Sequence, residues 1–258
     1  TAPTINIGAT NTDYKIKAKS GLAAGNYTAT ITVTDNYNKI YTAIVKLKVE
    51  AKEITGLGIV GVNNTIVYQE TYTPALTGTT ELGSGDYTIK YAKLDGGSYT
   101  DIDYKPFKVG KYKVTIIVTN ENYIASDVSV FFEIVAKTIT PTVNAIPDQT
   151  YTGKQITPNV SVGYGSESLT KDTDYTVEYG TNVNAGEGKV TIKAISGNNY
   201  TWTDKEVTFN IVAKSLTDSN VTLNQTSFRH TGSEIKPEPV VKDGEKTLTK
   251  DVDYELSY

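Results

Sequence analysis

Residues 169–179 read Leu-Thr-Lys-Asp-Thr-Asp-Tyr-Thr-Val-Glu-Tyr, and 79 positions later residues 248–258 read Leu-Thr-Lys-Asp-Val-Asp-Tyr-Glu-Leu-Ser-Tyr. A looser copy spans residues 82–91, and a remnant is Asp13-Tyr14-Lys15-Ile16. Return at a near-fixed interval means one supersecondary unit used several times, which limits the fold to one that such a segment can complete. Within the phrase, Tyr175, Val177 and Tyr179 alternate with Thr176 and Glu178. That period of two is a strand with one face inward. Tyr87, Ile89 and Tyr91, and again Tyr254, Leu256 and Tyr258, keep the arrangement. Lys171-Asp-Thr-Asp174 reads as the turn that feeds the strand. Tyr87, Tyr175, Tyr179 and Tyr254 are therefore expected to be the aromatic core of the repeated element.

Composition agrees. Nineteen tyrosines accompany abundant threonine and valine, residue types suited to a pleated, half-buried surface. The fold class expected is all-β. In Tyr27-Thr-Ala29-Thr-Ile31-Thr-Val33-Thr the odd positions are apolar or aromatic and the even ones threonine. Ala43, Val45, Leu47 and Val49 repeat the pattern, with Lys46 and Lys48 outward. Asp35-Asn-Tyr-Asn-Lys39 links the two strands.

Joints recur as well. Val49-Glu-Ala-Lys52, Ile134-Val-Ala-Lys137 and Ile211-Val-Ala-Lys214 each run from the last strand of one unit into the first of the next, with no flexible linker. They divide the chain into residues 1–52 (later strands only), 53–137, 138–214 and 215–258 (early strands only). Residues 93–103, Lys-Leu-Asp-Gly-Gly-Ser-Tyr-Thr-Asp-Ile-Asp, form an extra loop that the following unit lacks. Gly25, Gly110 and Gly186 hold matching places before the same strand, where each keeps a backbone shape that a Cβ would oppose. A single open sheet would leave one apolar face wet, so each full unit is expected to be two sheets packed as a sandwich.

Tyr151-Thr-Gly-x-x-Ile-x-Pro158, the phrase at 169–179, Asn182-Val-Asn-Ala-Gly186 and Gly197-Asn-x-Tyr200 together resemble the bacterial Ig-like repeat modules of the "mostly beta gut" type. The likeness covers residues 145–214 and 228–258 well, 55–137 less closely, and only the neighbourhood of Gly25 in the first 50 residues; residues 92–105 depart from it. It implies tandem Ig-like β-sandwich modules in an elongated array, part of a secreted or cell-surface bacterial protein. It carries over no catalytic residue.

Candidate chemistry is sparse. The chain has no cysteine, and so no disulfide framework, thiolate metal site or cysteine nucleophile. A net charge of −4 without a basic cluster gives no footprint for nucleic acid. No apolar run approaches the length of a membrane span. The chain begins at Thr1 and contains no methionine, as expected of a segment of a longer protein.

His230, the single histidine, aligns with Tyr151 and reads as a packing or turn position rather than an acid–base group. Gly56-Leu-Gly58-Ile-Val-Gly61 has dinucleotide-motif spacing, but no helix period follows it. The pairs Asp172/Asp174, Asp251/Asp253 and Asp101/Asp103 could offer oxygens to calcium, though capping of turns is the better reading of the first two. Trp202, the lone tryptophan, and nearby Tyr200 are the candidates for glycan contact. No Gly-x-Ser-x-Gly elbow or P-loop is present, and the notable acids recur with the unit where an active-site cleft would draw on unique positions. Neither a cofactor nor a metal is expected.

The functional expectation is a non-catalytic spacer or stalk segment of an extracellular bacterial protein. Alternatives are an adhesin or carbohydrate-binding module, and an accessory region of a secreted polysaccharide-active enzyme. The two terminal half units suggest one further partner, a second copy bound head to tail.

Overall fold

A computed structural model describes residues 19–258. The Asp13-Tyr14 remnant lies outside the described residues. The described chain is nearly all β, and its strands follow the sequence repeats. β1 (Gly25–Thr34) and β2 (Ile40–Val49) come first. Next are β3 (Lys52–Glu53), β4 (Gly58–Val60), β5 (Thr65–Val67), β6 (Ala75–Thr77), β7 (Tyr87–Asp95), β8 (Ser98–Ile102), β9 (Gly110–Val118), β10 (Tyr123–Ile124) and β11 (Val128–Val135). They are followed by β12 (Lys137–Thr138), β13 (Thr142–Val143), β14 (Gln149–Thr150), β15 (Val162–Tyr164), β16 (Glu167–Leu169), β17 (Tyr175–Tyr179), β18 (Gly186–Ala194), β19 (Tyr200–Thr201) and β20 (Lys205–Val212). A single 3-10 turn at Asp218–Asn220 precedes β21 (Val221–Leu223), β22 (Pro239–Asp243) and β23 (Lys246–Thr247).

The chain divides into two compact units. Of the described residues, unit 1 holds 19–139 and 195–201, and unit 2 holds 140–194 and 202–258.

In unit 1 a five-stranded sheet runs in the order β5-β11-β9-β7-β8, with β5 parallel to β11 and the other pairs antiparallel. Its inner residues Ile66, Tyr112, Val114, Phe132 and Ile134 form one cluster with Tyr72, from the link between β5 and β6. The alternation of β9 explains the choice, because Tyr112, Val114 and Ile116 are buried while the residues between them are not. Ile59, from the separate β4–β6 pair, packs against the same cluster. Tyr72 donates its hydroxyl to the Pro106 carbonyl at 2.7 Å, which satisfies the polar end of a buried ring.

In unit 2 a four-stranded sheet runs β14-β20-β18-β17, and a three-stranded sheet runs β13-β15-β16. Val190, Ile192, Phe209 and Ile211 are buried on the central pair β18–β20. A second three-stranded sheet, β21-β22-β23, repeats the order of the first, and β22–β23 repeats the β15–β16 pairing at an offset of 79 residues.

Two expectations change. Residues 93–103 are not a loop. Asp95 and Ser98 close a two-residue hairpin between β7 and β8, with Gly96 and Gly97 both at positive φ (55° and 91°), the backbone that matches strand twist. The first two strands pair with each other over ten positions, Gly25 opposite Val49 to Thr34 opposite Ile40. Yet Ala29, Ala43 and Leu47, expected inward, are exposed. Alternation chooses which face is apolar but supplies no cover, and among the described residues no other strand pairs with this hairpin.

Gly25, Gly110 and Gly186 all open their strand at positive φ, and each stands opposite an apolar residue at the end of the partner strand: Val49, Ile134 and Ile211. In the first two copies a tyrosine two residues on (Tyr27, Tyr112) returns its hydroxyl to the carbonyl four residues upstream, Ala23 and Lys108, at 2.8 Å. A Cβ on Gly110 would lie 3.1 Å from the Tyr112 hydroxyl. In the third copy the tyrosine is replaced by Gly188, and the ring of Phe209 fills the space, so that a Cβ there would meet it at 2.5 Å.

Candidate functional site

The recurring turn comes first, since its aspartates are the acids that sequence marks most strongly. Asp174 accepts the Thr170 N–H through Oδ2 at 2.8 Å, and Asp253 accepts the Thr249 N–H at the same distance. The flanking bonds also recur: Asp172 N–H to the Tyr175 carbonyl and Asp251 N–H to the Tyr254 carbonyl, both 2.8 Å. Asp172 and Asp251 share a positive φ of 63°, a left-handed backbone that aspartate tolerates better than most residues. In the looser copy Asp86 accepts the Gly83 N–H at 2.7 Å and Asn120 Nδ2 at 2.6 Å.

These carboxylates bind their own chain. The Asn120 amide, followed by the Gly83 N–H, holds the Asp86 carboxyl below the usual aspartate value. A depressed folded-state pKa contributes stability that is present above the unfolded-state value and lost as pH falls through the folded one. The stability gap between the parent and Asp86→Asn is therefore expected to shrink as pH drops below 3.8. Denaturant melts of both proteins across that range check it; a gap independent of pH would show that the carboxylate contributes nothing.

The tyrosines tie the strand to the chain before it. Tyr175 is buried and donates to the Val160 carbonyl at 2.8 Å. Burial, then the nearby Asp172 carboxylate, pushes its hydroxyl above the ordinary tyrosine pKa. Tyr179 donates to the Pro158 carbonyl at 3.0 Å, and 79 residues later Tyr258 donates to the Pro237 carbonyl at 2.6 Å. Tyr87, Tyr179 and Tyr254 are half-buried.

The glycan candidates are not brought together as a surface pair. Trp202 is 8% exposed, belongs to unit 2, and donates Nε1 to the Ile192 carbonyl at 3.3 Å. Tyr200 is buried in unit 1, where its ring meets Tyr68 edge-on at 5.2 Å and its hydroxyl accepts Gln69 Nε2 at 3.0 Å. Stacking on a sugar needs an open ring face, and neither residue offers one.

His230 is exposed, as are Asp101, on β8, and Asp103 just beyond it. Among the described residues no three His, Cys, Asp or Glu side chains gather as they would around a metal ion. No helix follows Gly61; β4 pairs with β6, and a Cβ on Gly61 would lie 2.0 Å from the Thr73 carbonyl oxygen. The glycine spacing thus serves two backbones in close approach.

Three features were not singled out in the sequence. Asn182 is the one fully buried polar side chain among the described residues, accepting the Lys189 N–H at 2.8 Å and donating to the carbonyls of Ile156 and Lys189. Its place at the head of Asn182-Val-Asn-Ala-Gly186 was its only signal. Phe131, 58% exposed, meets Tyr99 at 5.1 Å between ring centroids. The adjacent Phe131-Phe132 pair foretells an outward ring, because neighbouring strand residues face opposite sides. Third, a cavity of 340 Å³ in unit 2 is lined by Tyr151, Ala185, Lys214, Leu248, Val252 and Asp253 among others.

The joints use the same atoms twice. Lys52 donates its N–H to the Asn122 carbonyl and Lys137 to the Asn199 carbonyl, and each joint then runs parallel to the next two residues, β3 with β10 and β12 with β19. Comparison of the sequence with protein-family models and with curated proteins returns no match.

Proposed function

We propose that this chain is a non-catalytic spacer, a run of Ig-like β-sandwich modules in a secreted or surface-attached bacterial protein. The observation that carries the reading is the use made of the recurring polar residues. Asp86, Asp174 and Asp253 each close a turn on a backbone N–H, and the joints at Lys52 and Lys137 are closed by backbone hydrogen bonds. Groups committed to their own chain hold a scaffold and leave little for a substrate. Small-angle scattering tests the reading: an elongated particle is expected, and a compact globule of the same mass overturns it.

One observation favours a second reading, an adhesin or carbohydrate-binding module. Tyr99 and Phe131 set two aromatic rings together at the surface of unit 1, with Ala92 buried on β7, one of the two strands between theirs. Binding on a glycan array that Phe131→Ala abolishes would favour it; the spacer reading expects no such binding.

A further inference from the structure

We infer that this chain bears tension: each complete copy is closed by catches between its entering and leaving segments, set so that a pull along the chain loads their hydrogen bonds in shear. The inference rests on the spacer reading for the source of the tension, and on the sheets for the catches themselves.

Among the described residues four strand pairs are parallel, and each joins an early segment of a copy to a late one. In the first complete copy they are β3 with β10 and β5 with β11; in the second, β12 with β19 and β14 with β20. The other strand pairs are antiparallel.

Direction decides how a pair meets a pull. The strand by which the chain enters is drawn back toward its N-terminus, and the strand by which it leaves is drawn forward. Side by side and parallel, the two are pulled past each other along their length. The bonds between them lie across that line, so all carry load at once. In an antiparallel hairpin pulled from its open end, the bonds fail one after another. What resists a pull is the barrier to unfolding, which melting does not report.

The β5–β11 pair shows the catch most fully. Thr65, Ile66 and Val67 stand opposite Glu133, Ile134 and Val135. Backbone bonds bracket this register at both ends: Glu133 N–H donates to the Asn64 carbonyl at 2.9 Å, and Tyr68 N–H to the Val135 carbonyl at 2.8 Å. Ile66 and Ile134 are buried in the core cluster, so the bonds beside them act in a low-dielectric surround, where each is stronger than in water. The next copy repeats the catch in shorter form. Gln149 and Thr150 stand opposite Ile211 and Val212, and Tyr151 N–H donates to the Val212 carbonyl at 2.8 Å.

A further catch stands ahead of each of these, at the joint. Lys52 and Ile54 donate their N–H groups to the carbonyls of Asn122 and Ile124 at 2.8 and 2.9 Å. Lys137 and Ile139 donate to those of Asn199 and Thr201 at 2.9 and 3.0 Å. Gln69 clips the second joint through its side chain: Oε1 accepts Lys137 Nζ at 2.9 Å, and Nε2 donates to the Tyr200 hydroxyl at 3.0 Å. Tension entering a complete copy therefore meets one bonded parallel pair before it reaches β5 or β14.

Single-molecule stretching of the whole protein tests the inference. Pulled from the ends, the event that frees the 85 residues from 53 to 137 lengthens the chain by about 290 Å at ~3.4 Å per residue. The chain has no cysteine, so Thr65→Cys/Thr100→Cys supplies two handles of known place. Both residues are exposed, on β5 and β8, the two edges of the five-stranded sheet. A pull between them runs across the strands and is expected to open that sheet at about half the end-to-end force or less. Tyr68→Pro removes the donor to Val135. It is expected to lower the end-to-end force of the event by at least about a quarter relative to Tyr68→Ala, which loses the ring and keeps the N–H. The comparison of handles leaves the ladder unaltered and decides the matter if the proline variant fails to fold. Equal forces in the two directions, or a proline variant that yields where the alanine variant does, overturns the inference. An elongated particle that yields as easily from its ends as across its strands overturns it and leaves the spacer reading standing; a compact particle that resists only the end-to-end pull sinks the spacer and leaves the catches.

Discussion

Tyr175→Ala is expected to destabilise unit 2 by at least about 2 kcal/mol, the scale of burying one large side chain plus the cavity its loss leaves. Tyr175 sits on β17 opposite Ala194, its ring is buried, and its hydroxyl holds the Val160 carbonyl. Truncation removes both contributions. Tyr175→Phe separates them, since it keeps the ring and leaves one buried carbonyl without its donor, a loss of about 1 kcal/mol. Denaturant unfolding of the parent and both variants provides the measurement. A melting shift of a degree or less for the alanine variant would mean that the repeated tyrosine is not a core residue. Equal losses for the two variants would place the whole effect in the hydrogen bond.

Gly61→Ala is expected to cost more, about 2–5 kcal/mol, from left-handed backbone strain of about 1–2 and overpacking of about 1–3. Gly61 has a φ of 76°, and its Cβ would stand 2.0 Å from the Thr73 oxygen and 2.9 Å from the carbon behind it. Backbone cannot swing aside as a side-chain end can, and the Gly61 carbonyl accepts the Thr73 N–H at 3.0 Å, so the two strands separate together or not at all. Gly56→Ala is the control. Gly56 has nearly the same φ, 75°, with nothing within 4 Å of the added methyl, and should lose only the strain. If the two variants melt alike, close approach is not the reason for the glycine at 61.

How far the sequence reached can be judged from single strands. In β18 the buried Val190 and Ile192, and in β20 the buried Phe209 and Ile211, stand two apart, as a period of two requires of a strand with one covered face and one open. The same rule named Ala43 and Leu47 in β2, where it failed, since periodicity describes a strand and cover comes from elsewhere in the fold. Comparison between copies was the stronger tool. It identified Asp174 as a turn residue, and the bond to Thr170 is the mechanism. Tyr200 aligns with Tyr123, 77 positions earlier at the same place before its strand, and Tyr200 is buried. Trp202 has no counterpart to compare, and its single-copy status suggested surface chemistry where the structure buries it. The Gly96-Gly97 turn was written in the sequence as two adjacent residues free to take positive φ, and went unread because its length looked like an insertion.

The exchange of Tyr112 for Gly188, with Phe209 filling the vacated space, bears on how the chain avoids confusing its own parts. Neighbouring segments of similar sequence are prone to trade strands while folding, and such misassembly is a characteristic hazard of repetitive chains. A β9 strand taken into the place of β18 would drive a tyrosine ring into Phe209, and a β18 strand in the place of β9 would leave Phe132 facing an aromatic-sized hole. Both errors are penalised after the hydrogen-bond ladder has formed, where backbone pairing alone could not tell the strands apart. Introducing tyrosine at 188 with a smaller residue at 209 would let a tyrosine-bearing strand fit both places and remove the proofreading, and refolding yield would record the difference.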